Sequence, residues 1–273
     1  MAPFAPKHAL ADMTFVEFGD RLAERPVVLL PFGSQEEQGP HAPMGDWMLT
    51  RDLAAIAAER AGAIVAPTVP FGHADFFRTI PGGIQLRAST FIALVEDVVT
   101  AFLDHGVEHL LIFNGHSSNA PLIEQALRGI RRERGVAVPC INVWRSLPDS
   151  LWRQLYGEDV ARARGHGGEP MTSVYMHLYP ERVRPDLVRP SGNAEAFGLP
   201  TSGVSAVTFE GMPIQVPLDV TEVNRDGMMG GDPTLASAEK GAAIVEHIAS
   251  FTTRFIDHIR RCDPRRITTA PVP

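Results

Sequence analysis

Short apolar runs recur along the chain, and each ends in a polar, glycine-rich loop. These runs lie at residues 27–30, 63–65, 109–113 and 136–143. Runs of this length bounded by turn residues are typical of buried strands. Between and after them, apolar residues recur at helical spacing, which predicts helices. The predicted helices lie at residues 46–60, 89–105, 119–134 and 233–260.

Strands that alternate with helices predict an α/β fold, a three-layer sandwich with a mostly parallel central sheet between helices. We expect a single domain over residues 1–273, with its core at about 26–260 and a tail at about 261–273. Residues 180–220 are rich in Pro and Gly, which predicts loops and short strands. Because sites in such sheets form outside the carboxyl ends of the strands, the loops after residues 30 and 113 are the first candidates for chemistry.

The composition excludes several classes of protein. Hydrophobic residues make up 44% of the chain and the net charge is −7, without a long basic run, which argues against nucleic-acid binding. Because no segment approaches roughly 18 uninterrupted apolar residues, we expect no membrane span. The two cysteines cannot form a disulfide framework, and the N-terminal residues lack the apolar segment of a signal peptide. A cytoplasmic location is therefore expected.

The loop after the first strand, PFGSQEEQGPHAPMGD at residues 31–46, is dense in metal-ligand side chains. It contains Glu36, Glu37, His41 and Asp46. Carboxylates and imidazoles are the ligands of catalytic zinc sites and related metal centres. Adjacent glutamates point opposite ways in an extended segment, so at most one of Glu36 and Glu37 is expected to face a site. Asp46 also suits the N-cap of the next helix, and a loop glutamate can be merely solvated.

A second loop, NGHSSN at residues 114–119, follows the strand at 109–113. Its glycine allows a tight turn that aims His116 at the end of the sheet, with Ser117 beside it. Asn119 can cap the following helix.

A third loop, GHGGE at residues 165–169, combines flexible backbone with titratable groups. His166 suits proton transfer because imidazole titrates near neutral pH. Glu169 begins a helix, where the helix dipole alone can stabilise a carboxylate. The later segment GMMGGDPT at 227–234 is interpreted as structural, with Asp232 and Pro233 starting the last helix.

Taken together, these segments resemble the creatininase (creatinine amidohydrolase) family. Five segments occur in the family's order over about residues 31–241: PFGSQEEQGPHAPMGD, IPGG, NGHSSN, GHGGE and GMMGGDPTLASAEKG. The resemblance implies an α/β sandwich, often assembled as a hexamer, with a two-metal site of zinc, manganese or iron. It also implies hydrolysis of C–N bonds in cyclic amides, formamides and related small molecules.

The family's first loop usually reads G-S-x-E-x-H-G-P-H-x-P. On this pattern, Glu36 and His116 match metal ligands, and His166 matches a histidine implicated in proton transfer. The ligand histidine of that loop is Gln38 here. The position of the bridging aspartate is Trp47, with Asp46 one residue earlier.

Another departure follows NGH, where creatininase itself has a glutamate and this chain has Ser118. Glutamine is a poorer ligand than imidazole for zinc or iron, and tryptophan cannot ligate a metal. We therefore expect at most one divalent metal ion (zinc, manganese or iron), or none. The predicted ligands are Glu36, Asp46 and His116.

Three functions follow from these residues. The first is an amidohydrolase with at most one metal that cleaves an amide, cyclic amide or formamide bond of a small substrate. Its predicted catalytic residues are His116, His166 and Glu169, and its predicted substrate-binding residues are Gln38, His41, Trp47 and Ser117. The second is a metal-free enzyme that performs cyclisation, dehydration, isomerisation or amide condensation in specialised metabolism. The third is a non-catalytic binding or scaffold protein.

Overall fold

The central sheet contains four parallel strands in the order β2-β1-β3-β4. They are β1 (Val27–Phe32), β2 (Ile64–Val65), β3 (His109–Asn114) and β4 (Cys140–Asn142). This computed structural model describes residues 7–190, 192 and 194–268. Phe32 pairs with Asn114, so β1 and β3 end at the same level and their following loops start side by side.

Helices cover both faces of this sheet. They are α1 (Phe15–Leu22), α2 (Trp47–Ala61), α3 (Ala88–Asp104), α4 (Ala120–Arg134), α5 (Asp149–Tyr156), α6 (Val160–Ala163), α7 (Met171–Leu178), α8 (Val220–Val223) and α9 (Ala238–Ile259). Successive strand residues point to opposite faces. Leu29 and Phe113 pack in a core with α2, α7 and α9, whereas Leu30 and Ile112 pack with α1, α3 and α4. The predicted three-layer α/β sandwich is confirmed.

The last long helix begins later than the sequence pattern predicts. Asp232 caps a short 3-10 turn at Pro233–Leu235, and the chain then runs extended to Ser237. The Ser237 hydroxyl accepts a hydrogen bond from the Lys240 N–H and caps α9. This helix packs against α2, and Arg60 near the end of α2 makes two 2.9 Å hydrogen bonds to Glu246.

Smaller antiparallel pairings lie outside the main sheet. β5 (Gly165–His166) pairs with β10 (Met229–Gly230), so the segment at residues 227–234 supports the GHGGE loop. The region predicted as loops and short strands contains a four-stranded meander. Its strands are β6 (Glu195–Ala196), β7 (Leu199–Ser202), β8 (Ala206–Phe209) and β9 (Met212–Gln215).

Both ends of the described chain contact the rest of the molecule. The His8 backbone pairs with Val65, so packing extends well before the predicted core boundary at residue 26. In the predicted tail, the Pro264 carbonyl accepts a hydrogen bond from the Ala137 N–H, while residues 269–273 lie outside the described residues. Within the described ranges, no helix is long and apolar enough to cross a membrane.

Candidate active site

Three buried side chains converge at the carboxyl end of the sheet. Glu36 comes from the loop after β1, Asp46 immediately precedes α2, and His116 follows β3. Their exposed fractions are 1%, 1% and 4%, and one ligand atom from each lies within 4.8 Å of the others. These are the three residues that the sequence predicts as metal ligands.

Close packing between β3 and α2 brings these groups together. A Cβ atom at Gly115 would overlap the hydroxyl of Thr50, one turn into α2, so only glycine permits this approach. Asp46 occupies the N-cap position, but its carboxylate makes no capping hydrogen bond. Instead, Asp46 Oδ1 accepts the Ser34 N–H at 2.6 Å, and Oδ2 lies 2.8 Å from His116 Nδ1. The carboxylate is therefore aimed into the site.

The hydrogen bonds of His116 leave one ring nitrogen for the carboxylates. Nε2–H donates to the His73 carbonyl at 3.3 Å, and Nδ1 lies 3.2 Å from Glu36 Oε1. A backbone acceptor behind a histidine commonly fixes the ring for metal binding through its other nitrogen. Nδ1 therefore needs either a second proton or a cation, because it faces two anionic groups.

Burial and charge shift the proton affinities of this cluster in a consistent way. Burial raises the pKa of the Asp46 carboxyl to about 6, against the opposing effect of His116. Burial alone would lower the pKa of His116, but Glu36 and Asp46 outweigh it and hold that pKa well above its ordinary value. Without a metal, the cluster thus binds a proton at Nδ1.

Glu36 keeps one oxygen free for a ligand. Its Oε1 accepts the Gln38 amide N–H at 3.1 Å. Its Oε2 is buried and has no hydrogen-bond partner among the described residues. Two carboxylates and an imidazole with an open position suit one zinc-type metal ion. Where the family pattern has a ligand imidazole, the Gln38 amide N–H donates to Glu36 Oε1, so the donor set for a second ion differs from that of the family.

A cavity of about 200 Å³ opens onto this cluster. Its apolar wall contains Phe76, Phe77, Trp144, Met171 and Met229. Two hydroxyl side chains, Ser117 and Ser118, also line it. Trp144 is held in place by an indole N–H that donates to the Gly115 carbonyl at 2.5 Å. The site is therefore a small pocket with polar groups at one end and apolar walls.

His166 lines the same cavity and is paired with the second glutamate of the loop. Its Nε2 lies 2.7 Å from Glu37 Oε1 and 2.9 Å from the Glu37 carbonyl. Its Nδ1 lies 3.9 Å from Glu36 Oε1, and its ring packs on Phe77 with a centroid distance of 4.5 Å. Burial opposes protonation, but Glu37 outweighs it and raises the pKa of His166. His166 is thus placed to exchange a proton with the cavity.

Only Glu36 of the paired glutamates lines the cavity, as the sequence predicts, but Glu37 is buried as well instead of being solvated. Glu36 reaches His116 and Glu37 reaches His166, and both side chains are buried. The segment is an irregular loop rather than a strand, and Gly39 turns it with φ +81°, so strand alternation does not apply. The turn glycine directly after EEQ is the sequence signal for this arrangement.

Other predicted site residues lie outside the cavity wall. Trp47 donates its indole N–H to Gln35 Oε1 at 2.7 Å. His41 is fully buried and bonds Thr172 Oγ1 at 3.0 Å, and burial lowers its pKa to about 4. In the part of the chain that the structure describes, neither residue lines the pocket with Glu36 and His116.

The Glu169 carboxylate lies behind the cavity. It accepts hydrogen bonds from Tyr156 and Ser173, each at 2.8 Å, and burial raises its pKa. Its contacts favour a role in holding the GHGGE loop. Asn119, expected to cap a helix, instead accepts the His73 N–H at 2.9 Å and donates to the Gly33 carbonyl at 3.2 Å. It therefore ties together the loops around His116.

Sequence similarity to known proteins agrees with this geometry. Residues 11–256 match the model of the creatininase family, described as creatinine amidohydrolase. The chain belongs to the creatininase family. Among curated proteins, a mycofactocin precursor peptide peptidase of Mycolicibacterium smegmatis is 30% identical, covering 88% of this chain and 87% of the relative. A 3-dehydro-scyllo-inosose hydrolase of Thermotoga maritima is 26% identical, over 90% of this chain and 82% of the relative.

Solved creatininase structures share the fold. A structure of creatinine amidohydrolase (creatininase) superposes with a TM-score of 0.76 at 26% identity, covering 95% of this chain and 99% of that one. A structure of creatininase with manganese has a TM-score of 0.75 at 28% identity, covering 94% of this chain and 100% of that one. Relatives of this creatininase-family chain are thus hydrolases, and solved members include metal-bound forms.

Proposed function

We propose that this creatininase-family chain is a hydrolase that cleaves a C–N bond of a small substrate with one divalent metal ion. The bond is an amide, cyclic amide or formamide. The ion, of zinc, manganese or iron, would be held by Glu36, Asp46 and His116. By analogy with the family, we also expect the chain to assemble as a homo-oligomer, often a hexamer.

The observation that carries this proposal is the unsatisfied polarity of the buried cluster. Glu36 Oε2 lacks a partner among residues that the structure describes, and His116 Nδ1 faces two carboxylates. Leaving such groups unpaired in a buried site is costly. A divalent cation bound by Glu36, Asp46 and His116 would satisfy all three side chains at once. It would also polarise a substrate carbonyl group as a Lewis acid.

The residues of the chain divide the remaining work. Hydrolysis adds water across the C–N bond: the water oxygen bonds to the carbonyl carbon, one water proton passes to Nδ1 of His166, and His166 delivers that proton to the leaving nitrogen as the C–N bond breaks. Phe76, Phe77 and Trp144 form an apolar wall against which the substrate packs, with its polar atoms at the polar end of the cavity. Ser117 and Ser118 offer hydroxyl groups to its polar atoms.

A metal-free enzyme on this scaffold is a second candidate, favoured by one observation. A proton on Nδ1 of His116, taken up in the absence of metal, would interact with Asp46 Oδ2 at 2.8 Å and with Glu36 Oε1 at 3.2 Å, so it would offset part of the buried negative charge. The protonated cluster and His166 would then form an acid–base pair for cyclisation, dehydration, isomerisation or amide condensation.

Metal analysis separates these candidates. The protein is purified without chelators, its metal content is measured by mass spectrometry, and turnover is tested on formamides, cyclic amides and short peptides. The same panel is repeated after removal of metal and after return of zinc, manganese or iron. The proposal expects about one ion per chain and turnover that depends on it.

Less than about 0.1 ion per chain, with turnover indifferent to added metal, overturns the one-metal proposal and supports the metal-free enzyme. Hydrolysis confined to the short peptides overturns the proposed substrate class, because the curated peptidase relative would then be the better guide.

A further inference from the structure

Glu37 occupies a position that the family pattern leaves variable. The pattern G-S-x-E-x-H does not specify the residue after the ligand glutamate, so the resemblance assigns this carboxylate no role. Its exposed fraction is only 6%, and burying an ionised carboxylate is costly unless it is well bonded. Its contacts therefore need an explanation beyond surface solvation.

The carboxylate is bonded on both oxygens. Oε2 accepts the Gly39 N–H at 2.6 Å, which orients the group within its own loop. Oε1 lies 2.7 Å from His166 Nε2. The neighbouring segment is shaped to admit it, because a Cβ atom at Gly227 would overlap the Glu37 carboxylate. Gly39 and Gly227, from two separate segments of the chain, thus both accommodate the carboxylate that bonds His166.

The hydrogen bond between Glu37 and His166 determines which ring nitrogen of His166 is directed at the cavity. A carboxylate accepts hydrogen bonds, so the nitrogen that it contacts carries the proton in neutral imidazole. Nε2 is then the N–H, and Nδ1, 3.9 Å from Glu36 Oε1, is the nitrogen with the free lone pair. A carboxylate behind a catalytic histidine commonly fixes the ring's tautomer and orientation in this way.

We infer that Glu37 is a positioning residue for His166: its side chain holds the imidazole with Nε2 protonated and Nδ1 directed at the substrate cavity. The inference rests on the proposed function, in which His166 carries the proton. The site then contains two carboxylate–histidine arrangements: the cluster of Glu36 and Asp46 with His116, and the pair of Glu37 with His166.

The backbone provides the competing explanation. The Glu37 carbonyl also lies 2.9 Å from His166 Nε2, and it would remain in any variant at position 37. If that carbonyl alone set the tautomer, the side chain would be dispensable. Charge-assisted hydrogen bonds are about twice as strong as neutral ones, so we expect the carboxylate to dominate.

Ring ¹⁵N NMR of histidine-labelled protein tests this directly, at alkaline pH where the imidazole is neutral. Comparison with His166→Gln assigns the signals. The variants are Glu37→Gln, whose amide oxygen can accept the same hydrogen bond, and Glu37→Leu, which cannot accept it. Glu133→Leu, on the exposed part of α4, controls for loss of a carboxylate elsewhere.

We expect the Nε2–H tautomer in the wild type, Glu133→Leu and Glu37→Gln. In Glu37→Leu the tautomer ratio should shift by roughly tenfold towards Nδ1–H. An unchanged ratio in Glu37→Leu would overturn the inference, as would an Nδ1–H wild type. Because this readout needs neither metal nor turnover, it remains informative if the proposed hydrolysis fails.

Once a substrate is known, Glu37→Leu should lower kcat by roughly tenfold or more with little change in KM. Glu37→Gln should recover most of that loss. Equal loss in both variants would contradict a positioning role through the hydrogen bond.

Discussion

Two adjacent glutamates of one loop serve two different histidines. Glu36 shares His116 with Asp46 in a cluster that has an unpartnered oxygen among the described residues. Glu37 bonds His166 in a pair whose carboxylate oxygens both have partners. An incompletely satisfied cluster favours a metal ion, whereas a satisfied pair favours a fixed proton. The same residue types therefore acquire different chemistry from their remaining hydrogen bonds.

The largest test of this difference is the loss of a metal ligand. Asp46→Asn removes one anionic group beside His116 Nδ1, so retained metal should fall from about one ion per chain to less than about 0.1. Elemental analysis of protein purified without chelators measures it. Glu37→Gln is the matched control and should keep its metal. Metal loss in both variants would show that the Glu37–His166 pair also contributes to metal binding.

The converse change should convert the cluster towards the family's two-metal form. Gln38→His with Ser118→Glu restores the imidazole and the carboxylate that the family has at these two positions, and metal content should rise towards about two ions per chain. Trp47→Asp should add none, because the Trp47 side chain bonds Gln35 and lies outside the cavity wall. A rise with Trp47→Asp would place the bridging ligand at residue 47 instead of Asp46.

The stability of the fold should depend on the space that Gly227 leaves for the Glu37 carboxylate of the Glu37–His166 pair. Gly227→Ala places a Cβ against the Glu37 carboxylate at φ +79°, and should cost roughly 2–3 kcal/mol in the free energy of unfolding. Gly62→Ala, at φ +62° with no neighbour within 4 Å, should cost only about 1 kcal/mol. Urea denaturation measures both. Equal costs would mean that backbone strain alone matters at Gly227.

The last test concerns His41, whose hydrogen-bond partner, the Thr172 hydroxyl, is neutral. Its folded pKa is about 4, below its ordinary value of 6.5. The unfolded chain therefore takes up the proton first as the pH falls, and His41 destabilises the fold between those values, by at most about 1.4 kcal/mol per pH unit.

Urea denaturation from neutral pH down to about pH 4.5 measures this effect. The stability advantage of the wild type over His41→Gln should shrink over that range. His105→Gln, which replaces an exposed histidine, is the matched control. A constant difference for His41→Gln would mean that the folded and unfolded chains take up the His41 proton over the same pH range, so that burial does not lower its pKa.

Local patterns predicted most of the layered fold. The parallel strands and α2, α3 and α4 appear within a few residues of their predicted bounds, because apolar periodicity is a local property. The late start of α9 was not predicted, because the chain uses Asp232 for a short turn and Ser237 for the cap. The β6–β9 meander was predicted only as short strands, since nonlocal pairing is absent from such patterns.

The candidate site was predicted in part. Glu36, Asp46 and His116 lie together as expected, because parallel strands end at one edge of the sheet. Side-chain direction was less predictable. Trp47 bonds Gln35 and His41 bonds Thr172, and those choices depend on how α2 and α7 pack. The contact of Glu37 with His166 was not predicted, because the loop turns irregularly at Gly39 and does not follow strand alternation.

Asp46 lies directly before α2, which spans 15 residues. Some 14 residues further on, about 21 Å away at helical rise, Arg60 ties the other end of α2 to Glu246 of α9. A small tilt of α2 would move the Asp46 carboxylate relative to Glu36 and His116 without any change in the ligand residues themselves. Laboratory evolution of metal affinity in this scaffold should therefore yield beneficial substitutions at the α2–α9 seam, remote from every ligand.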